Sequence, residues 1–356
     1  MTIFVKKAHT FLKSASKAIA VISALKAAAP LLFTLCGMAL LLAYPAAAMQ
    51  SVTRGLVLWF NAVLPALFPF FFLSLILSKS QTLRRVEGFL FPVTKKLFRL
   101  PPRVGVIFIT ALLSGYPVGA KLIETAVCAG DLTAEEGRRA SAFCIVSGPL
   151  FLMGTVGLTM FQSLAAGRIL LVAHLASALF VGVFTGRFSL GKKSKLNAAQ
   201  EGNMRHRSLV KNAKTATRLA KTEPTPVYEA TISMLTMGGT IALFTVFLDL
   251  AIEVGLLNFI LLPLRLIFGE NDLMRSAAVG VVEVTRGCVE VAAIGVFPLS
   301  VATACALLSF GGLSVLMQAK IFLSRAQIKI KTCILGKGMQ AIVAFFIAYA
   351  LSVLFL

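Results

Sequence analysis

Apolar residues run through this chain in stretches of helical-span length, separated by short polar breaks. The stretches fall near 30–48, 55–78, 104–130, 140–160, 169–186, 230–256, 276–297, 298–319 and 338–356. A helix rising ~1.5 Å per residue needs about 20 apolar residues to cross a bilayer's hydrocarbon core, so each stretch is a candidate membrane element. Residues 1–29 read differently, with Phe4, Phe11, Leu12, Ile19 and Ile22 set among lysines. That pattern suits a segment lying in the membrane interface. Leu31–Leu42 followed by Ala46-Ala47-Ala48 also has the shape of a signal peptide and its cleavage site, although the basic lead is long for one. The expectation is an uncleaved first helix, with residues 49–54 emerging on the outer face.

Composition sharpens the class. Of 356 residues, 58% are hydrophobic and 14% charged, and the mean hydropathy is +0.89. Soluble domains carry about 25% charged residues, so this chain reads as an all-α polytopic membrane protein. Disordered, collagen-like, coiled-coil and disulfide-scaffold classes are excluded. The net charge of +21 would point to nucleic acid in a soluble protein. Its placement argues otherwise: five basic residues lie in 1–29, seven in 79–103, ten in 187–227 and five in 320–337, each window abutting an apolar stretch. Cytoplasmic loops are charged in this way, so the N-terminus and 187–227 are expected on the cytoplasmic side of the cell membrane, with no nucleic-acid partner.

No cofactor and no metal site is expected. The six cysteines form no C-x-x-C pair, and His9, His174 and His206 are far apart. His174, on an apolar span, reads as a packed residue. A nucleophile–base constellation, a phosphate loop and H-E-x-x-H are all missing from the sequence, so an enzyme is not expected.

The chain repeats itself around its basic linker. Leu67-Phe68-Pro69 aligns with Leu243-Phe244-Thr245, Ser114-Gly115-Tyr116-Pro117 with Val282-Glu283-Val284-Thr285, Ser147-Gly148-Pro149 with Phe310-Gly311-Gly312, and Gly167 with Gly336. The organisation expected is a basic segment at 1–29, a first helix and outer loop at 30–54, one repeat at 55–186, a linker at 187–227 and a second repeat at 228–356. Corresponding loops carry opposite charge preference. The loop at 79–103 is strongly basic and its counterpart at 257–275 is not, whereas 161–168 holds only Arg168 and its counterpart 320–337 holds five basic residues. Matched loops on opposite sides define an inverted-topology repeat. Keeping both 79–103 and 187–227 cytoplasmic requires one of the three intervening stretches to enter and leave on the same side. The second half imposes the same rule, so each half needs a re-entrant hairpin. Charge alone allows the first one at 104–130 or at 140–160.

Helix-breaking residues sit inside four of these stretches. They are Ser114, Gly115, Tyr116, Pro117 and Gly119; Ser147, Gly148 and Pro149; Glu283, Thr285, Arg286 and Gly287; and Gly311 with Gly312. Glycine permits a sharp turn and proline removes a donor, so these are broken helices whose free N–H and C=O groups can bind polar solutes or ions. Non-helical backbone is tolerated at membrane depth only when buried or lining a wet cavity. Lys121 and Glu124 follow the first tip at pairing distance, and Glu290 follows Arg286 by one helical turn. Charges at that depth are costly and face inward, either locking the hairpins or contacting solute. All these residues form the candidate substrate-binding set. Asp249 and Glu253 are expected near the outer end of 230–256, facing water.

The runs LPALFPFFFLSLIL (64–77), LLSGYPVGAKL (112–122), FCIVSGPLFLMGTVG (143–157), EVTRG (283–287) and SFGGLSVLMQ (309–318) resemble the YlbJ family. These are sporulation integral membrane proteins carrying the nucleoside-recognition, or Gate, domain. The resemblance covers residues 30–356. It implies hairpins at 104–130 and 276–297, as in the parts of ferrous-iron transporter B and the concentrative nucleoside transporters that Gate domains resemble. It also implies nucleoside recognition and a link to sporulation. Two readings follow: a transporter or gated pathway for a small polar solute, driven by a coupling ion of unspecified identity, or a non-transporting receptor or scaffold of spore-envelope formation. The partners expected are the lipid bilayer and the solute, and a homo-oligomer is left open.

Overall fold

The computed structural model describes residues 28–79, 82–188 and 225–356. The basic N-terminal segment (1–27) and most of the linker (189–224) lie outside the described residues. Among the described residues the chain is helical, with no strand, and five helices are long and apolar enough to cross a membrane. It is an all-α polytopic membrane protein.

The first half opens on α1 (Ala28–Ala43), which ends at Tyr44 because Pro45 starts α2 (Pro45–Leu58) from its first turn. Residues 49–54 therefore sit inside α2 and not in an outer loop. A π-turn, Trp59–Val63, joins α2 to α3 (Leu64–Lys79). The widened turn precedes Pro65, where an α-helical turn would clash with the proline ring. Thr155 Oγ donates to Ala62 O there at 3.1 Å. Next come the amphipathic α4 (Thr82–Leu97), α5 (Pro102–Ser114), α6 (Val118–Cys128) and the short α7 (Ala134–Ala140). Residues 141–148 are irregular, Leu150–Met160 winds as a π-helix, and α8 (Leu164–Phe188) closes the half.

The second half follows the linker. It runs α9 (Pro226–Glu253), the amphipathic α10 (Leu256–Phe268), α11 (Asp272–Val282), α12 (Val284–Ile294), α13 (Pro298–Phe310), α14 (Gly312–Arg325) and α15 (Lys331–Phe355). Like α4 with Pro92, α10 carries an internal proline, Pro263. Both present large exposed apolar residues, Phe89 on α4 and Phe259 and Leu266 on α10, as helices lying at a membrane interface do.

Two pairs of short helices form hairpins. α5 and α6 turn at Gly115–Pro117, and α11 and α12 turn at Glu283. Small residues let the arms touch: a Cβ on Gly287 would fall 2.1 Å from Gly280 Cα. The first-half hairpin is thus 104–130, and 140–160 is not one. The most enclosed of the five spans is Pro298–Arg325, 78% buried against 50% or less for the others. It is broken at Gly311 and Gly312, both with positive φ (+89° and +70°). The least enclosed is α15, whose Phe346, Leu354 and Phe355 are exposed as lipid-facing residues should be. One substitution tests this packing. A Cβ on Gly119 would lie 1.9 Å from the Cys144 carbonyl oxygen, whereas Gly239 has nothing within 4 Å. Thermal unfolding in detergent should show Gly119→Ala destabilised by about 1–3 kcal/mol, and Gly239→Ala unchanged or slightly more stable.

Candidate functional site

The breaks meet one another. Gly115 (φ +77°) packs on Gly148, with its Cβ position 3.0 Å from Gly148 N. The Cβ position of Gly312 lies 3.1 Å from Gly280 O and 3.2 Å from Val284 N, so the second break seats against the second hairpin tip. Tyr116, at the first tip, donates its hydroxyl to Leu308 O, and Gly311 lies beside that same hydroxyl. The two tips therefore meet across Gly311–Gly312.

Backbone groups that the breaks strand are taken up by buried side chains. Ser147 N donates to His174 Nε2 at 3.1 Å. A backbone N–H can only donate, so Nε2 is the bare nitrogen and Nδ1–H donates to Ser309 Oγ at 2.9 Å. Lys337, fully buried, donates to Ile145 O at 2.8 Å and to Gln340 Oε1 at 2.7 Å. Ser114 Oγ donates to Thr110 O at 2.7 Å, so the Ser74 hydroxyl is the donor in its contact with Ser114. Glu283 N-caps α12, accepting from Arg286 N at 2.8 Å, and also accepts from Ser314 Oγ at 3.4 Å.

Two charged clusters flank this centre, one on the second arm of each hairpin. On α6, Lys121 pairs with Glu124 at 3.3 Å, and Arg325 of α14 approaches Glu124 at 3.7 Å. On α12, Arg286 bridges Asp249 and Glu290 (3.0 Å to Glu290), and Arg54 reaches Asp249 at 2.7 Å. A cavity of about 450 Å³ adjoins the first cluster, lined by Pro117, Lys121, Tyr228, Ser233, Gln318 and Arg325 among others. Gln318 Oε1 is buried there without a donor. A second cavity of about 260 Å³ adjoins the other cluster, lined by Arg54, Thr245, Arg286 and Glu290 among others. Along α9 the larger of these cavities touches residues 228–237 and the smaller touches Thr245, so the two lie at different levels of the same span.

The candidate residues thus divide into three groups. Ser114, Gly115, Tyr116, Gly119, Ser147, Gly148, Glu283, Thr285, Gly287, Gly311 and Gly312 are buried in the packed centre, and Pro149 is half-buried at its edge. Pro117 and Lys121 line the larger cavity, with Glu124 behind Lys121; Arg286 and Glu290 line the smaller. The pairs Lys121–Glu124 and Arg286–Glu290 form as their spacing predicts. Three expectations change. Several of the stranded backbone groups are already paired with side chains, because hydrocarbon offers no water to satisfy them. Asp249 does not simply face water, since two arginines hold it. Lys337, read as part of a basic loop, lies inside α15, where its acceptors are. His174, Lys337, Gln340, Ser309 and Gln318 were missed. The readable signal was the polar pair Lys337 and Gln340, one turn apart inside an apolar stretch.

Among the described residues, five spans packed around two tip-to-tip hairpins define an integral membrane protein of the multi-pass, broken-helix class. The chain belongs to the family of the sporulation integral membrane protein YlbJ of Bacillus subtilis (strain 168). It is 30% identical to that protein over 320 residues, which cover 86% of this chain and 78% of the relative. No family model matches the chain, and no solved structure matches it.

The Arg286 cluster generates a direct test. Asp249→Asn removes a charge from a mostly enclosed hydrogen-bonded pair and should cost about 1–3 kcal/mol in thermal unfolding. Arg286→Met should cost a similar amount, and the double variant should cost less than the sum of the two, because neither charge is then left alone.

Proposed function

We propose that the protein is a secondary transporter for a small polar solute, working by alternating access between the two cavities beside its hairpins. The observation that carries this reading is the placement of those cavities: one beside each hairpin, each with a charged cluster, at different levels along α9. Rocking one repeat against the other would open one cavity as it closes the other. In this reading Gln318 Oε1, lacking a donor, accepts from the solute, and Lys121 with Arg286 and Glu290 orients its polar groups. Glu283, buried at the second tip, carries the coupling proton or cation. A nucleoside-like solute follows from the Gate-type resemblance, and a role in sporulation from the relative's name.

Orientation belongs to the same proposal. The basic residues Arg325, Lys329 and Lys331 and the basic linker that precedes Thr225 support a cytoplasmic side for the larger of the two cavities. In a cysteine-free background, Thr225→Cys and Glu270→Cys should label from opposite faces of the membrane. Labelling of both from one face would reject the inverted arrangement.

Transport itself is tested by uptake into proteoliposomes, screening nucleosides, dicarboxylates and divalent metals. Glu283→Gln keeps an oxygen to cap α12 but loses the charge. It should leave the unfolding temperature near that of the parent and abolish uptake driven by the ion gradient. The relative's name links the family to sporulation, which favours a second reading, a membrane scaffold of spore formation. Absence of uptake for every solute, with loss of sporulation on deletion, would select it.

A further inference from the structure

Lys337 stands apart from every other charge described. It lies in the second turn of α15 and has no accessible surface. A lysine near a helix end ordinarily snorkels its ammonium to the membrane surface; this one points inward. Among the described residues it makes no ion pair. Its Nζ instead meets Ile145 O at 2.8 Å, Gln340 Oε1 at 2.7 Å and the Tyr116 ring centroid at 5.5 Å. A carbonyl from unwound backbone, an amide oxygen and an aromatic face are all groups that present negative potential. Together they are the donor set of a monovalent-cation site. His174 is the neighbouring titratable group: Gln340 Nε2 lies 3.4 Å from its carbonyl. Its imidazole is neutral by the bonding of its two nitrogens, so it contributes no competing positive charge. Cys333 lies one turn back on the same helix.

We propose that Ile145 O, Gln340 Oε1 and the Tyr116 ring form a monovalent-cation site that the Lys337 ammonium fills from within the chain. The three ligands belong to three different pieces. Ile145 is in the first-half break, Tyr116 in the first hairpin tip, and Gln340 in the last span of the second half. The tethered ammonium therefore fastens the two halves at their centre, at a place where a free inorganic ion would otherwise be needed. The inference concerns the site itself and does not depend on transport.

The test is chemical rescue of stability, read as unfolding temperature in detergent. Lys337→Ala deletes the ammonium and most of its stem, and propylammonium restores what was removed. The variant should unfold several degrees below the parent. Saturating propylammonium should raise its unfolding temperature by about 3–6 °C, while 1-propanol, of the same length and uncharged, should not, and the parent should respond to neither. Equal rescue by 1-propanol would mean that only volume was lost, and no rescue by propylammonium would mean that no cation site exists; each result overturns the proposal. If Lys337→Ala yields no folded protein, Gln340→Leu carries the test. It should lower the unfolding temperature by several degrees in the parent and by little in the Lys337→Met background, since the acceptor is required only while the cation is present. Equal losses in both backgrounds would overturn the proposal as well.

Discussion

Hydrocarbon cannot hydrogen-bond, and that single constraint organises the centre of this molecule. Each interruption of a helix at membrane depth leaves N–H and C=O groups that must find partners inside the protein. Four interruptions are present, and each is closed by contact with another. Gly115 seats on Gly148, Gly312 on the turn between Gly280 and Val284, and Tyr116 reaches from the first tip to Leu308 in the second break. His174 and Lys337 take further groups at Ser147 and Ile145. Glycine is demanded at these positions because the approach is backbone to backbone.

The same constraint explains why charge sits where it does. The centre holds one lysine against neutral acceptors, with Glu283 nearby as a helix cap. The charges on the second arms of the hairpins gather in two clusters beside cavities, where solvent can share the cost of keeping them ionised. Arg286 between Asp249 and Glu290, and Lys121 with Glu124, answer each other across the repeat: both lie on the second arm of a hairpin, and both face a cavity. The dense, neutralised centre and the two wetter ends are one arrangement.

Much of this was legible in the residues. Span lengths, the four breaks, the pairing of the halves and the i,i+3 and i,i+4 ion pairs are local or periodic properties, and local sequence carries them. The proline kept at equivalent places in α4 and α10 belongs to the same class. What could not be read were partnerships over long separations. Asp249 belongs with Arg286 and Arg54, yet nothing in its own segment says so. Lys337 looked like the last residue of a basic loop because composition counts charges without knowing where a helix begins. His174 read as a packed apolar neighbour, although a backbone N–H from the first break required it.

The sequence by itself determined the solvent and the places where the helices break, because hydropathy, proline and glycine act within a few residues. Only the tertiary structure decided which apolar stretch of the first half becomes the hairpin and which side chain satisfies each broken backbone group. It also decided that the polar residues divide into a sealed centre and two separate cavities. Those outcomes depend on three-dimensional adjacency between segments more than a hundred residues apart (Lys337 to Ile145, Tyr116 to Leu308). No local pattern encodes such adjacency, because the energy that selects it is the shared penalty of leaving polar groups unpaired in a medium without water.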